Sequence, residues 1–383
     1  MYYKMTTANK IKDHAKNAME FIKRNKTASI KYMIYFIIVM LLIMFFTYTI
    51  QKIRLKTNNN TTLSKLYADF PRISTLNTND AAYQYLLRDY YIKTAYNCCC
   101  GGQFKNDYVD VLPLKKCISQ GARVLDFEIY SSLDDKPIIA AASINNVNVK
   151  EMYNEVYLEE ALKVINNNAF SGGTCPCPND PLILHFRIQS NNDKMYKSMA
   201  ETIYNTINPR LLDKEYSYQY SGFNLGAVPL ENLMGKIVIS IDRANPKFET
   251  TPLNEYVNIA SNSMFLRASR AYDIKFTPDS NELIEYNKKF MTISMPDLSA
   301  YDTNVDASLH MKYGVQCVGM CFQNFDSNME FYTSYFDKYG HSFVLKPDEL
   351  RYIPVTIKKP DPQDPKLSFA PRDTKTDFYS FSV

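Results

Sequence analysis

Asp126 and Glu128 stand two residues apart within Arg123–Tyr130, an apolar run of strand length. Alternation along a strand sends both carboxylates to one face and Leu125, Phe127 and Ile129 to the other. His185, Arg187 and Gln189 share one face of a second such run, Leu182–Gln189, opposite Leu184, Phe186 and Ile188. As barrel staves, the two runs turn both polar sets inward. Two carboxylates and an imidazole could carry acid–base chemistry in a remodelled site. They equally suit an internal ion-pair network joining Arg187 to Asp126, Glu128 or both. Buried charges need partners, and the opposite signs here favour the network. His185 alone is more often a satisfied interior histidine than a catalyst. His14, His310 and His341 fall on segments expected to be exposed.

The cysteines spell no metal site. Cys98-Cys99-Cys100, Cys117, Cys175-Pro-Cys177, Cys317 and Cys321 lack the paired CxxC spacing of a zinc centre. Cys317 and Cys321 read as small core residues on a strand. Cys175 and Cys177 sit in a loop, where a disulfide with another partner is open.

From about residue 81 short apolar runs alternate with segments of helical period. Strands are expected at Lys93–Cys100, Arg123–Tyr130, Pro137–Ser143, Leu182–Gln189, Lys236–Ile241, Phe265–Ala271, Met291–Asp297, Cys317–Gln323 and Phe343–Lys346. Helices are expected at Tyr157–Asn167, Asp193–Ile207, Ser280–Lys289, Ala307–Tyr313 and Asn328–Lys338. Such alternation is that of an α/β fold with parallel strands, and a strand count close to eight fits a TIM-type (β/α)8 barrel.

Tyr32 to Ile50 is free of charge and proline. At about 1.5 Å per residue it spans roughly 28 Å, enough for a transmembrane helix. Lys4, Lys10, Lys12, Lys16, Lys23, Arg24, Lys26 and Lys31 precede it, and only Lys52, Arg54 and Lys56 follow closely. The heavier cluster is expected to stay cytoplasmic, which makes a single-pass membrane protein with its C-terminal bulk on the far side. The expected organisation is a basic cytoplasmic tail (1–31), the span (32–50), a polar tether (51–80), the barrel (81–355) and a Pro-rich extended or disordered tail (356–383). Asn59 and Asn60 each open an Asn-x-Thr sequon. A net charge of +4 gives no nucleic-acid footprint. The expected partners are a lipid bilayer and an unknown protein.

Several runs together resemble one family. Gly121-Ala-Arg-Val-Leu-Asp-Phe-Glu-Ile129, Pro137-Ile-Ile-Ala-Ala-Ala-Ser143 and Pro181-Leu-Ile-Leu-His-Phe-Arg-Ile188 resemble "GCRCVELD", "PIIYHGHT" and "PVILSLEN" of the phosphatidylinositol-specific phospholipase C X half. Gly235-Lys-Ile-Val-Ile239, Gly314 to Gln323 and Phe343 to Arg351 resemble "GKILIK", "GCQMVALNFQT" and "GYVLKPEFLR" of the second half. The chain looks like the stripped-down, membrane-anchored versions carried by large DNA viruses of protists, which implies a virion membrane or host endomembrane.

The resemblance implies two catalytic histidines and a calcium ion held by Asn and acidic side chains, none of which this chain keeps complete. The His-Asn of "SSSHNTY" is placed on Gly101 and Gly102, and the second His on Ser143. The Glu of "SLEN" falls on Arg187, and the acidic pair persists as Asp126 and Glu128. The phosphate-binding lysines fall on Ser240 and Asp242, and the Arg and Tyr of "RIYP" on Ile293 and Met295. The expectation is therefore a degraded calcium site without a cofactor, and a catalytically inactive pseudoenzyme with a structural or interaction role. The alternatives are an active phosphoric diester hydrolase rewired on Asp126, Glu128 and His185, acting on phosphoinositides or glycerophosphodiesters, and a lipid-binding module without turnover. Loss of the basic phosphate positions counts against the last. Arg187 is expected to take the place of the lost calcium beside Asp126 and Glu128.

Overall fold

The computed structural model of the chain describes every residue except 1, 25, 78, 218–223, 355, 356, 362, 363, 365, 366, 368 and 383. Its strands are β1 (Tyr90–Ala95), β2 (Val124–Ser131), β3 (Pro137–Ala140), β4 (Val156–Tyr157), β5 (Leu182–Ile188), β6 (Ile237–Asp242), β7 (Ile259–Ser261), β8 (Leu266–Arg270), β9 (Met291–Met295), β10 (Cys317–Met320) and β11 (Phe343–Leu345). Eight of them follow one another as β7-β6-β5-β2-β1-β10-β9-β8, each neighbouring pair parallel. β7 and β8 approach across a short connection, where the Ser263 amide donates to the Leu266 carbonyl at 3.2 Å. The result is a nearly closed TIM-type barrel. Two expected strands lie outside it. β3 continues antiparallel from β2, and β11 pairs antiparallel with β1. The stave β7 was not among the expected runs.

The helices are α1 (Tyr2–Arg24), α2 (Lys26–Leu66), α3 (Val111–Ser119), α4 (Leu158–Asn168), α5 (Asp193–Ile207), α6 (Ala271–Lys275), α7 (Ser280–Lys289), α8 (Ala307–Lys312) and α9 (Ser327–Tyr339). Short polar residues start several of them: Asp110, Asn192, Asp279, Asp306 and Asp326 each accept from a first-turn amide. Gly340 ends α9 at φ 74°, the left-handed conformation glycine adopts without strain.

The inward side chains are layered. Val124, Ile183, Val238, Ile259, Ile293 and Cys317 fill the N-terminal half of the bore with apolar volume. Further along the same strands the inward positions turn polar, with Asp126, His185, Ser240 and Ser261 all buried. Outward positions such as Leu125, Phe127, Leu184 and Phe186 pack under the helices, where Phe127 and Phe186 stack at 5.7 Å.

α2 departs from the expectation. Ile30–Leu66 includes an apolar stretch long enough to cross a membrane, with none of it buried. The polar residues expected to form a tether instead continue the same helix to Leu66. Asn and Thr are poor helix formers, but partners on the barrel flank override that weak preference. Lys56 pairs with Asp110 at 3.3 Å, and Leu63 and Tyr67 are buried. The Asn59 and Asn60 amide nitrogens donate to Asp107 and Asp110 at 3.0 and 2.7 Å. Both sequon amides are thereby engaged inside the protein.

All eight cysteines are free and buried. From Tyr352 a second unit begins. It contains an antiparallel pair, β12 (Asp373–Lys375) and β13 (Ser380–Ser382), in the segment expected to be an extended tail. Pro362 and Pro365 of that expectation lie outside the described residues.

Candidate functional site

The pairing of β2 with β5 sets Asp126 beside His185 and Glu128 beside Arg187. All four are buried, with exposures of 0–2%. The Arg187 guanidinium lies at the centre. Its Nε donates to both Asp126 oxygens at 3.1 and 3.3 Å, and one terminal nitrogen donates to Asp126 Oδ2 at 3.1 Å. The other terminal nitrogen reaches Glu128 Oε2 at 3.2 Å. This fork-on-carboxylate geometry is the strong form of a charge-assisted contact. The Tyr96 ring lies under the guanidinium at 4.8 Å, and Tyr130 donates to the free Glu128 oxygen at 2.5 Å.

The ionisation states follow from these contacts. Burial opposes charge on Asp126, but Arg187 and His185 outweigh it and hold the carboxyl well below the usual range. At Glu128 burial wins, and its pKa is raised despite Arg187 and Tyr130. Burial disfavours the Arg187 cation too, yet Asp126, Tyr96 and Glu128 keep it protonated. An ionised Asp126 can only accept, so His185 Nδ1, 2.7 Å away, carries a proton, and Nε2 meets Ser261 Oγ at 2.8 Å. Each imidazole nitrogen is thus engaged by protein.

Asn97 is the site residue that the sequence reading missed. Its Oδ1 accepts from Arg187 at 2.7 Å, and its backbone amide donates to Asp126 Oδ2 at 3.2 Å. A φ of 45° turns both groups toward the cluster, a conformation asparagine tolerates better than most residues. The run Lys93–Cys100 reads as one strand, but β1 ends at Ala95 and the turn that follows carries Asn97 to the cluster. Gly101 and Gly102 lie apart from it. A Cβ on Gly101 would meet Asn59 of α2 at 3.4 Å, and one on Gly102 would strike the Asp107 carboxylate at 2.3 Å.

Ser143 does not join the cluster either. Its amide and hydroxyl both donate to Glu151, which also pairs with Lys105. Ser240 is buried with an unpartnered hydroxyl, and Asp242 accepts from Asn262. Ile293 and Met295 are buried in β9. His310, expected to be exposed, is buried on α8 with Nδ1 2.7 Å from Ser294, and burial lowers its pKa to about 4.

Asn97, Asp126 and Glu128 offer the hard oxygens that calcium prefers. Five guanidinium hydrogen bonds already take those oxygens, so the residues present do not fit a metal ion. Among the described residues, no group of three or more His, Cys, Asp or Glu side chains is placed to hold one.

The X-domain pattern of phosphatidylinositol-specific phospholipase C matches residues 83–243, and its Y-domain pattern matches residues 239–349. The chain belongs to this family. Among solved structures it is similar to L. pealei PLC21, at TM-score 0.58 and 18% identity over 71% of this chain and 38% of that one. S. officinalis PLC21 has the same TM-score at 19% identity, with the same coverage. A calcium-dependent phosphoinositol-specific phospholipase C from Pseudomonas sp. follows at TM-score 0.41 and 9% identity, over 72% and 98% of the two chains. This chain thus spans well under half the length of the two PLC21 structures. No curated protein sequence matches it.

Proposed function

We propose that this chain is a membrane-anchored phospholipase C barrel that has given up catalysis and serves as a structural or interaction module. The observation that carries this reading is Arg187. A guanidinium stands among Asn97, Asp126 and Glu128, where the family resemblance implies calcium, and the whole group is sealed from solvent. The positions where the resemblance implies catalytic histidines hold Gly101 and Ser143, and the ring against Arg187 is Tyr96, a phenol whose pKa is raised by burial and which is a poor base at neutral pH. Without calcium or a general base, neither nucleophile activation nor charge neutralisation has an agent. The apolar helix supports the anchor, and the flanking positive charge supports a non-cytoplasmic barrel.

The test is a phosphodiesterase assay of the full chain in nanodiscs, on phosphatidylinositol, its phosphates and glycerophosphodiesters, with calcium or a chelator. The expected result is no turnover above a heat-treated control. Turnover abolished by Asp126→Asn would replace this reading with that of a rewired hydrolase.

A further inference from the structure

We propose that the loop 169–181 carries a peroxide-reducing dithiol, in which Cys177 attacks a small hydroperoxide and Cys175 resolves the product as a disulfide. The loop joins α4 to β5, at the opposite end of β5 from Arg187. The two sulfurs lie 3.9 Å apart. Arg123 holds both of them, through Nε to Cys177 at 3.1 Å and through a terminal nitrogen to Cys175 at 2.7 Å. Burial opposes charge on Cys177, but Cys175 and Arg123 outweigh it and hold this sulfur below the ordinary thiol range. Cys175 is pushed up, chiefly by its contact with Cys177, and stays a thiol. The pair thus divides into a nucleophilic thiolate and a protonated partner within reach of it. Asp180 completes the group. Burial and the neighbouring Cys177 raise its pKa well above the carboxylate range, despite Arg123. Its Oδ1 accepts from the Leu76 amide at 2.9 Å, and its Oδ2 is buried with no hydrogen-bond partner among the described residues. An undissociated carboxyl in that place has a proton to give and nothing in the protein to give it to.

With hydrogen peroxide the steps balance. The Cys177 thiolate attacks one oxygen, the S–O bond forms as the O–O bond breaks, and the departing hydroxide takes the Asp180 proton to leave as water. Cys177 is now a sulfenic acid. The Cys175 sulfur attacks it, the Cys175 proton leaves with the hydroxyl as a second water, and a disulfide remains. The peroxide gains the two electrons that the two sulfurs lose. The Asp180 carboxylate left behind replaces the thiolate as the anion near Arg123, and an external dithiol returns the pair to its reduced form. Size selects the oxidant. Both sulfurs are 0–1% exposed, so a bulky disulfide cannot approach them in line. The cover is nonetheless thin, because Ser171, Gly172 and Gly173 just before them are exposed. Two successive glycines give that cover the freedom to admit a molecule as small as hydrogen peroxide.

The test treats the reduced full chain in nanodiscs with hydrogen peroxide or with glutathione disulfide, blocks remaining thiols at intervals, and maps the cysteines by peptide mass spectrometry. Hydrogen peroxide is expected to close Cys175–Cys177 before it oxidises any other cysteine, and faster than glutathione disulfide does. In Cys175→Ser the reaction should stop at a Cys177 sulfenic acid, trapped as a dimedone adduct. Asp180→Asn keeps an acceptor for Leu76 but has no acid proton, and should slow closure about a hundredfold. Closure no faster than oxidation of the other buried cysteines, or faster with glutathione disulfide than with peroxide, would overturn the proposal. A dimedone adduct on Cys175 of Cys177→Ser, with none on Cys177 of Cys175→Ser, would overturn the assignment of the attacking sulfur. Closure at the unchanged rate in Asp180→Asn would remove Asp180 as the acid.

Discussion

The barrel buries two guanidinium groups, Arg187 near its mouth and Arg123 just before β2, and compensates them in different ways. Arg187 is matched by two carboxylates and an amide. Arg123 donates to the Ala169 carbonyl at 3.1 Å, to the Cys177 carbonyl, and to the sulfurs of Cys175 and Cys177 at 2.7 and 3.1 Å. The Cys-Pro-Cys loop, open in sequence to a distant disulfide, is instead the lid over a buried cation, with its sulfurs 3.9 Å apart. Burial pushes Cys177 up, but the Cys175 thiol and Arg123 outweigh it and bring its pKa to about 5. A thiol is ordinarily neutral at pH 7 and a carboxylate is not. Removing the cation therefore leaves a protonatable core residue at the base, but stranded charge at the mouth.

That contrast is open to direct tests. The largest effect is expected from Arg187→Ala, which unpairs two buried carboxylates and costs roughly 3–5 kcal/mol. Urea unfolding measures it, and a loss below about 1 kcal/mol, typical of solvated pairs, would show that the mouth is wet. Arg123→Ala is expected to cost less, about 1–3 kcal/mol, since it strands carbonyls more than charge. Equal losses for the two variants would erase the distinction.

Two pH profiles sharpen it. Because Cys177 is held low, its share of stability is present above the ordinary thiol pKa and fades as pH falls toward about 5. Cys177→Ser should flatten stability across that range, and an unchanged slope would argue for a neutral thiol. The smallest effect concerns Glu128. Its raised pKa gives stability that is present below the ordinary glutamate value and lost as pH rises through the folded one. Asp126, held low, has the opposite sign and loses its share only in acid. Glu128→Gln should remove the loss on the rising side and leave the acid limb in place, as thermal melts across pH would show.

The staves were legible where several alternating residues repeat, as in Arg123–Tyr130 and Leu182–Gln189. β7 was not, because Ile259–Ser261 is too short to display a period. Pro137–Ser143 and Phe343–Lys346 read as staves because strand pattern carries no direction, and both turned out antiparallel. The inward set of Asp126, Glu128, His185 and Arg187 followed from alternation alone. Asn97 was hidden because Lys93–Cys100 read as one strand, whereas β1 ends at Ala95 and a turn brings Asn97 to Arg187. The polar half of α2 read as a tether because its Asn and Thr content outweighed contacts that only the folded barrel supplies.

A cation built into the chain differs from a bound one in its dependence on surroundings. Calcium can be chelated, diluted or displaced, so a barrel that closes around it responds to the ionic composition of its compartment. A guanidinium on β5 is present at unit stoichiometry from synthesis onward and never dissociates. With Arg187 in the bore, the hydrogen bonds to Asn97, Asp126 and Glu128 come from the chain itself and draw on no ion from the surrounding fluid.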